Sequence, residues 1–233
     1  MANTYLPIAI SLEHRKCLIV GGGRIAQRKI ETLLEYNSNI TVIAPEVEDR
    51  IEYYAGKELL TLHKRPYQAK DASSFGLVIG ASNDEDVNCQ VYDDCQAAGI
   101  PVNVVDNPPL CDFIFPAVLT RDCMTVSIST DGKAPFLSGH LRHVLENIFP
   151  KHWNDLVKLA VEFRVNVRNH WKGKPEQKHA AFERFVEVDW KTLFDAKDGA
   201  ALETELHRIL IGAPAPAPPE DDKGEQTDSS SEE

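Results

Sequence analysis

The stretch Cys17-Leu18-Ile19-Val20-Gly21-Gly22-Gly23-Arg24-Ile25-Ala26 constrains this chain more than any other. Cys17 to Val20 reads as a short buried strand, three glycines follow, and Ile25 to Tyr36 is a helix-forming run. Strand, glycine turn and helix in this order is the arrangement that binds dinucleotides. Gly21 permits the tight turn, and Gly23 lets the backbone approach a pyrophosphate with no Cβ in the way. Ala26 stands where a small residue packs helix against strand. The helix N-terminus then offers unpaired N–H groups and a partial positive charge to the phosphates. A glycine-rich turn that binds nothing is the plain alternative; the flanking strand and helix favour the ligand.

The rest of the chain extends this unit. Leu6 to Ile10 alternates weakly, as a strand does, and runs into a turn at Glu13-His14-Arg15. Asn39 to Ala44 reads as the second strand of a βαβ unit. An acidic residue usually ends that strand and bonds the ribose hydroxyls. Here the end is Ala44-Pro45-Glu46, so Glu46 or the backbone takes that part. No arginine follows directly to meet a 2′-phosphate, which favours NAD over NADP. Val47 to Gly56 suggests a helix, Leu59 to His63 a strand, and Leu77 to Gly80 a buried strand. That last strand ends at Ala81-Ser82-Asn83, facing the cofactor. A helix from Asp84 to Ala98 follows, capped by Ser82 or Asn83, and then a strand from Ile100 to Val105. Strands alternating with helices at this spacing predict a parallel, doubly wound sheet. Ligands bind beyond the carboxyl ends of such strands. The segments at Gly21, Ala44, Ala81 and Asp106 should therefore share one edge.

The pattern changes after Asp106. Phe113 to Pro116 and Met124 to Ser129 are strand-like, and they predict an extension of the sheet past the cofactor unit. Thr130-Asp131-Gly132-Lys133 is a turn, and Pro135 opens a helix to about Ile148. From His152 to Ile211 the reading is helix after helix, with Trp153, Trp171 and Trp190 at core spacing. The fold class is thus α/β, a Rossmann-type parallel sheet followed by a sheet extension and a C-terminal helical domain. The expected divisions are 1–112, 113–150, 151–212 and an acidic tail, 213–233, whose Pro- and Ser-rich composition predicts disorder.

Charge and cysteine content narrow the function. The net charge of −11 argues against nucleic acid as the main partner, although the tail carries much of it. The five cysteines, Cys17, Cys89, Cys95, Cys111 and Cys123, form no C-x-x-C pair. They suggest reduced thiols in a cytoplasmic protein rather than a disulfide frame or a zinc site. No leader-like segment opens the chain, and no apolar run approaches the ~20 residues of a membrane helix.

Several groups are candidates for chemistry. Asp106 ends a strand at the ligand edge, where a carboxylate can take a proton as a cofactor takes a hydride; Asp also starts turns well. The Thr130 to Lys133 turn can cradle an anion through backbone N–H groups or be an ordinary loop. His140 and His143, flanking Arg142, can hold a carboxylate or a metal or form a solvated face. The run Arg164, Arg168, Lys172, Lys174 and Lys178 is either an anion-receiving surface or a solvated helix face.

With these residues laid out, the chain resembles the precorrin-2 dehydrogenase family, which also forms the N-terminal part of siroheme synthase. Its landmarks here are Leu6-Pro7-Ile8, Val20 to Gly23 with Ala26 and Arg28-Lys29, Asn103-Val104-Val105-Asp106, Phe113 to Ala117, and Val126 to Thr130 with Gly132 and Pro135. The resemblance implies NAD-dependent oxidation of precorrin-2 to sirohydrochlorin, and in some members insertion of ferrous iron as co-substrate. It places the catalytic aspartate at Asp106 and cofactor contacts at Arg24, Ile25, Pro45 and Glu46. A family serine falls on Thr130, where this chain reads Ser-Thr-Asp-Gly rather than Ser-Ser-Gly-Gly. Lys133, His140, Arg142 and His143 are then the cations available to the substrate's carboxylates. The family forms homodimers through the strands and helix after the cofactor unit, and the apolar stretch Phe113 to Ile128 fits either that role or a monomer core. A non-catalytic NAD-sensing module, and a tetrapyrrole carrier or chelatase without turnover, are the rival readings.

Overall fold

The computed structural model describes residues 5–36 and 39–213; the expected acidic tail falls almost wholly outside them. The chain divides into two compact units, Met1–Val118 with Ser127–His143, and Leu119–Val126 with Val144–Glu233.

The first unit is built on a five-stranded sheet, β1 (Lys16–Val20), β2 (Asn39–Ile43), β3 (Thr61–His63), β4 (Leu77–Gly80) and β5 (Val102–Val104), in the order β3-β2-β1-β4-β5. Every pairing is parallel; Ile19 lies opposite Val42 on one side and Ile79 on the other. Near-continuous apolar strands are what a sheet covered on both faces requires. Alternate residues supply the two faces. Cys17 and Ile19 pack with Ala26, Ile30 and Leu33 of α1 (Arg24–Leu34) and with Ile51 of α2 (Asp49–Gly56). Leu18 and Val20 pack with Val91 and Cys95 of α3 (Glu85–Ala98). Full burial of one side chain such as Ile30 is worth about 1.5–3 kcal/mol.

Helix α3 is capped by Asp84, whose carboxylate accepts the N–H groups of Asp86 and Val87, rather than by Ser82 or Asn83. The Ser82 hydroxyl instead accepts the N–H of Asp84. Gly99, at φ +66°, ends the helix in the left-handed conformation that glycine adopts without cost.

Two sequence expectations fail. Leu6 to Ile10 forms no strand, and Leu6 and Ile8 are 81% and 74% exposed. Alternation needs a neighbouring strand to become a ladder, and the sheet's two edges are β3 and β5. The segments after Asp106 do not extend the sheet either. Phe113 to Pro116 is irregular, and β6 (Ala117–Arg121) pairs with β7 (Met124–Ile128) as a separate two-stranded hairpin. The edge of β5 is occupied already. The Asp112 carboxylate accepts the N–H of Val102, and Asn103 makes one isolated bridge to Cys111.

Helix α4 (Pro135–Ile148) follows the hairpin, and α5 (Trp153–His170), α6 (Pro175–Glu187), α7 (Trp190–Ala196) and α8 (Gly199–Ile211) complete the chain. The helical core contains Phe163, Val167, Ala181, Phe185, Trp190 and Ile209. Indole N–H groups need partners when buried. Trp190 donates to the Phe185 carbonyl at 2.7 Å and Trp171 to that of Leu210 at 2.9 Å, so these tryptophans are structural. Among the described residues no helix is long and apolar enough to cross a membrane.

Candidate functional site

The order of the strands reverses between β1 and β4, and the crevice beyond their carboxyl ends is where open α/β sheets bind ligands. The glycine turn lies there. Gly21 has φ +125°, and a Cβ on it would fall 2.2 Å from the carbonyl oxygen of Ala81. A Cβ on Gly22 would fall 2.0 Å from the carbonyl oxygen of Glu46, and the Gly22 carbonyl accepts the Glu48 N–H. The loops after β1, β2 and β4 are thus pressed together by two glycines, of which sequence reasoning gave a role only to Gly21.

Gly23 differs from both. It is extended at the N-cap of α1, with no side-chain cap, and has no other protein atom within 4 Å of a Cβ position. The Gln27 N–H bonds the Gly23 carbonyl, so the N–H groups of Arg24, Ile25 and Ala26 lie ahead of the helical ladder. No acid stands in the first turn, and the Arg24 and Ile25 side chains are exposed. Open space and N–H groups at the positive end of a helix suit a pyrophosphate.

The other expected cofactor residues stand at the same edge. Pro45 and Glu46 are exposed beyond β2, with the Glu46 backbone against Gly22. Ser82 is half-buried, and both its backbone groups bond the side chain of the buried Asn88, at 3.2 and 2.9 Å. Asn83 is exposed. Asn88 was not anticipated from sequence; a polar residue on the buried face of a helix was the available signal.

Asp106 lies two residues beyond β5, exposed, at φ +59°. Asp tolerates this left-handed conformation better than most residues. Val105 N–H bonds the Gly80 carbonyl, and Asn107 N–H bonds that of Val104, so the backbone on either side of the aspartate is held. The chain after it is anchored from within β5. Asn103 donates to the Phe113 carbonyl at 2.8 Å and approaches the Cys111 sulfur at 3.3 Å. The Cys111 thiol approaches the carbonyls of Val104 and Asn107 at 3.1 and 3.3 Å, and its burial raises its pKa. Lys29 of α1 reaches the same segment, with its ammonium 3.7 Å from the centre of the Phe115 ring. Lys29 was legible only as half of an Arg-Lys landmark, with no role attached.

The later substrate candidates form two groups. In the turn before α4, the Thr130 hydroxyl accepts the Ala134 N–H at 3.1 Å, the Thr130 carbonyl accepts the Lys133 N–H, and Asp131 and Gly132 have φ of 52° and 74°. Lys133 is exposed, its ammonium 3.8 Å from the Asp131 carboxylate. Tyr5 is the link to the Asp106 segment. Its hydroxyl lies 3.4 Å from the Cys111 carbonyl, and burial, then Cys111, Asp131 and Asp112, raise its pKa. His140 and Arg142, two residues apart in α4, differ by roughly 200° around the helix and share no face. Arg142 approaches the neighbouring His143 ring at 3.2 Å. Among the described residues no three His, Cys, Asp or Glu side chains are grouped to hold a metal. Arg164 and Arg168 are exposed on α5.

Comparison with known proteins agrees with this geometry. Residues 8–117 match a family model described as "Putative NAD(P)-binding". Siroheme synthase of Methylococcus capsulatus is 39% identical over 209 residues, 90% of this chain and 43% of that protein. Siroheme synthase of Psychrobacter sp. is 42% identical over 167 residues, 72% of this chain and 34% of that protein. The solved structure of SirC, precorrin-2 dehydrogenase, superposes with a TM-score of 0.70 at 25% identity, covering 88% of this chain and 98% of that one. The chain belongs to the family of precorrin-2 dehydrogenase and the siroheme synthase N-terminal module. It is an NAD-binding, precorrin-2 dehydrogenase-like module. It spans less than half the length of the siroheme synthases it matches.

Proposed function

We propose that this chain oxidises precorrin-2 to sirohydrochlorin with NAD as hydride acceptor and Asp106 as proton acceptor. The observation that carries the reading is Asp106 itself, an exposed carboxylate just beyond β5 at the edge that holds the glycine turn. The oxidation removes two hydrogens from a carbon framework. NAD, when bound, takes one as hydride. Asp106 takes the other as a proton, the work of a positioned general base. Gly21, Gly23, Arg24 and Ile25 would hold the pyrophosphate, Pro45 and Glu46 the adenosine ribose, and Ser82 and Asn83 the cofactor's flank. Thr130 and Lys133, with one of His140 and Arg142, which project from different faces of α4, are the groups we assign to the substrate's carboxylates.

A second copy of the chain is the partner we infer for α4. Leu137, Leu141, Val144 and Ile148 recur at helical spacing and are 39% to 55% exposed. Light scattering should give the mass of a homodimer, and Leu141→Asp the mass of a monomer; a monomeric wild type would remove this partner.

Incubation with precorrin-2 and NAD, followed by absorbance at the NADH and sirohydrochlorin bands, tests the reaction. Equal formation of both products supports the reading. Tetrapyrrole binding without NADH formation would favour a carrier, and NAD binding without tetrapyrrole binding a sensing module. Ferrous iron added to sirohydrochlorin in the same cuvette asks whether iron is a further substrate.

A further inference from the structure

Lys29 sits in the second turn of α1, the helix that begins at the glycine turn. A lysine on such a helix can usually carry its ammonium out to water along a flexible stem. This one is half-buried, with its ammonium over the Phe115 ring at 3.7 Å. Phe115 meets Phe113 edge-on at 5.5 Å, and both rings pack against the sheet core. The Phe113 carbonyl is tied to Asn103 of β5, the strand that leads to Asp106. The aromatic seat and the aspartate therefore hang from one strand, while the cation comes from the cofactor helix.

The charges around the ammonium have a clear order. Burial lowers its pKa most and the neighbouring Arg28 lowers it further, whereas Asp106 and Cys111 act in the opposite sense. Asp106 is thus the carboxylate that opposes the cost of keeping this cation beside the segment.

We propose that Lys29 is a positioning residue for Asp106: its ammonium, seated on Phe115, fixes the segment that carries Asp106 against the cofactor helix. This rests on Asp106 being the proton acceptor. Lys29 touches neither substrate nor cofactor in this role; it acts through Asp106.

The test compares Lys29→Met, which keeps the stem and removes the charge, with Lys29→Arg, which keeps both charge and cation–π capacity. Precorrin-2 oxidation is measured as kcat and KM, and NAD binding by calorimetry. In Lys29→Met, kcat should fall about tenfold with KM for precorrin-2 within about twofold, because a displaced base slows the chemical step without removing a group that binds the substrate. NAD affinity should stay within about twofold, since the first turn of α1 is untouched. Lys29→Arg should restore most of kcat. Wild-type kcat in Lys29→Met, or a kcat loss that Lys29→Arg does not restore, would make Lys29 a packing residue and overturn the inference. If Lys29→Met does not fold, Phe115→Leu is read in its place: a severalfold loss of kcat at unchanged NAD affinity supports the inference, and wild-type kcat overturns it. Asp106→Asn, assayed alongside, separates the two levels. Full activity there removes the role of Asp106 itself, whereas its loss beside an unaffected Lys29→Met removes only that of Lys29.

Discussion

The carbonyl oxygen of Ala81 stands where a side chain on Gly21 would have to go, 2.2 Å from the Cβ position. This contact brings the ends of β1 and β4 together at the reversal of strand order. The same turn ends at Gly23, where a Cβ meets no other protein atom within 4 Å. One glycine is required by the fold, and the other is open to a ligand.

Substitution should separate these two demands. Gly21→Ala combines the clash with a positive φ, together costing roughly 2–5 kcal/mol. Thermal unfolding should drop by about 5–15 °C. Gly23→Asp should leave the melting temperature unchanged or slightly higher, because Asp is a favoured N-cap. It should abolish NAD binding by placing a side chain and a negative charge against the pyrophosphate. Calorimetric titration showing wild-type NAD affinity in Gly23→Asp would refute this cofactor site.

Asp106→Asn keeps side-chain size and tolerance of the left-handed conformation. The fold should survive, as circular dichroism and melting will report, and NAD should still bind. Turnover should fall by the ~10²–10⁴-fold typical of losing a general base. Near-normal turnover in the folded variant would reduce Asp106 to a turn former.

Acid should weaken the link between Arg65 and Asp71. The guanidinium meets the carboxylate at 2.6 and 3.0 Å and holds its pKa below the ordinary 3.8. A depressed folded value means stabilisation that is complete above the unfolded value and lost as pH falls through the folded one. The pair is part-buried at the surface, where solvent still screens it, so the effect is modest. Urea unfolding from pH 5 down to 2.5 should show the wild-type advantage over Asp71→Asn shrinking with acid. A constant difference would mean that this ion pair does not contribute.

Two thiols of one helix should differ in reactivity. Cys95 of α3 is fully buried, and burial pushes its pKa up to about 12. Cys89, six residues earlier, is exposed. Only the thiolate is nucleophilic. At pH 8, iodoacetamide should modify Cys89 readily and Cys95 only after unfolding, as peptide mass mapping will show. Equal labelling in the native protein would mean that α3 opens locally.

The βαβ unit was legible in the sequence because its signals are local. Cys17 to Val20 is an unbroken apolar run, Ala26, Ile30 and Leu33 repeat at helical spacing, and glycines mark the turn between them. Each of these patterns reports a burial or conformational demand made within a few residues. Trp171 and Trp190 were legible as core for the same reason, whereas Trp153, expected there too, packs on Phe149 and is not part of that core. Asp106 was legible as the end of a strand, because a parallel sheet sends its strand ends to one edge.

Tertiary structure alone decided the rest. Gly22 looks like its neighbours in sequence, and only the approach of the Glu46 carbonyl shows what a side chain there would strike. The strand-like residues after Asp106 carried the period of a strand but no record of which edge was free. Asp112 and the Asn103–Cys111 bridge occupy that of β5, and β6 pairs with β7 instead. Lys29 reads as a surface lysine until Phe115, far along the chain, is seen beneath its ammonium. Periodicity records which faces are buried; hydrogen-bond partners and charge neighbours are chosen by distant segments and leave no local pattern to read.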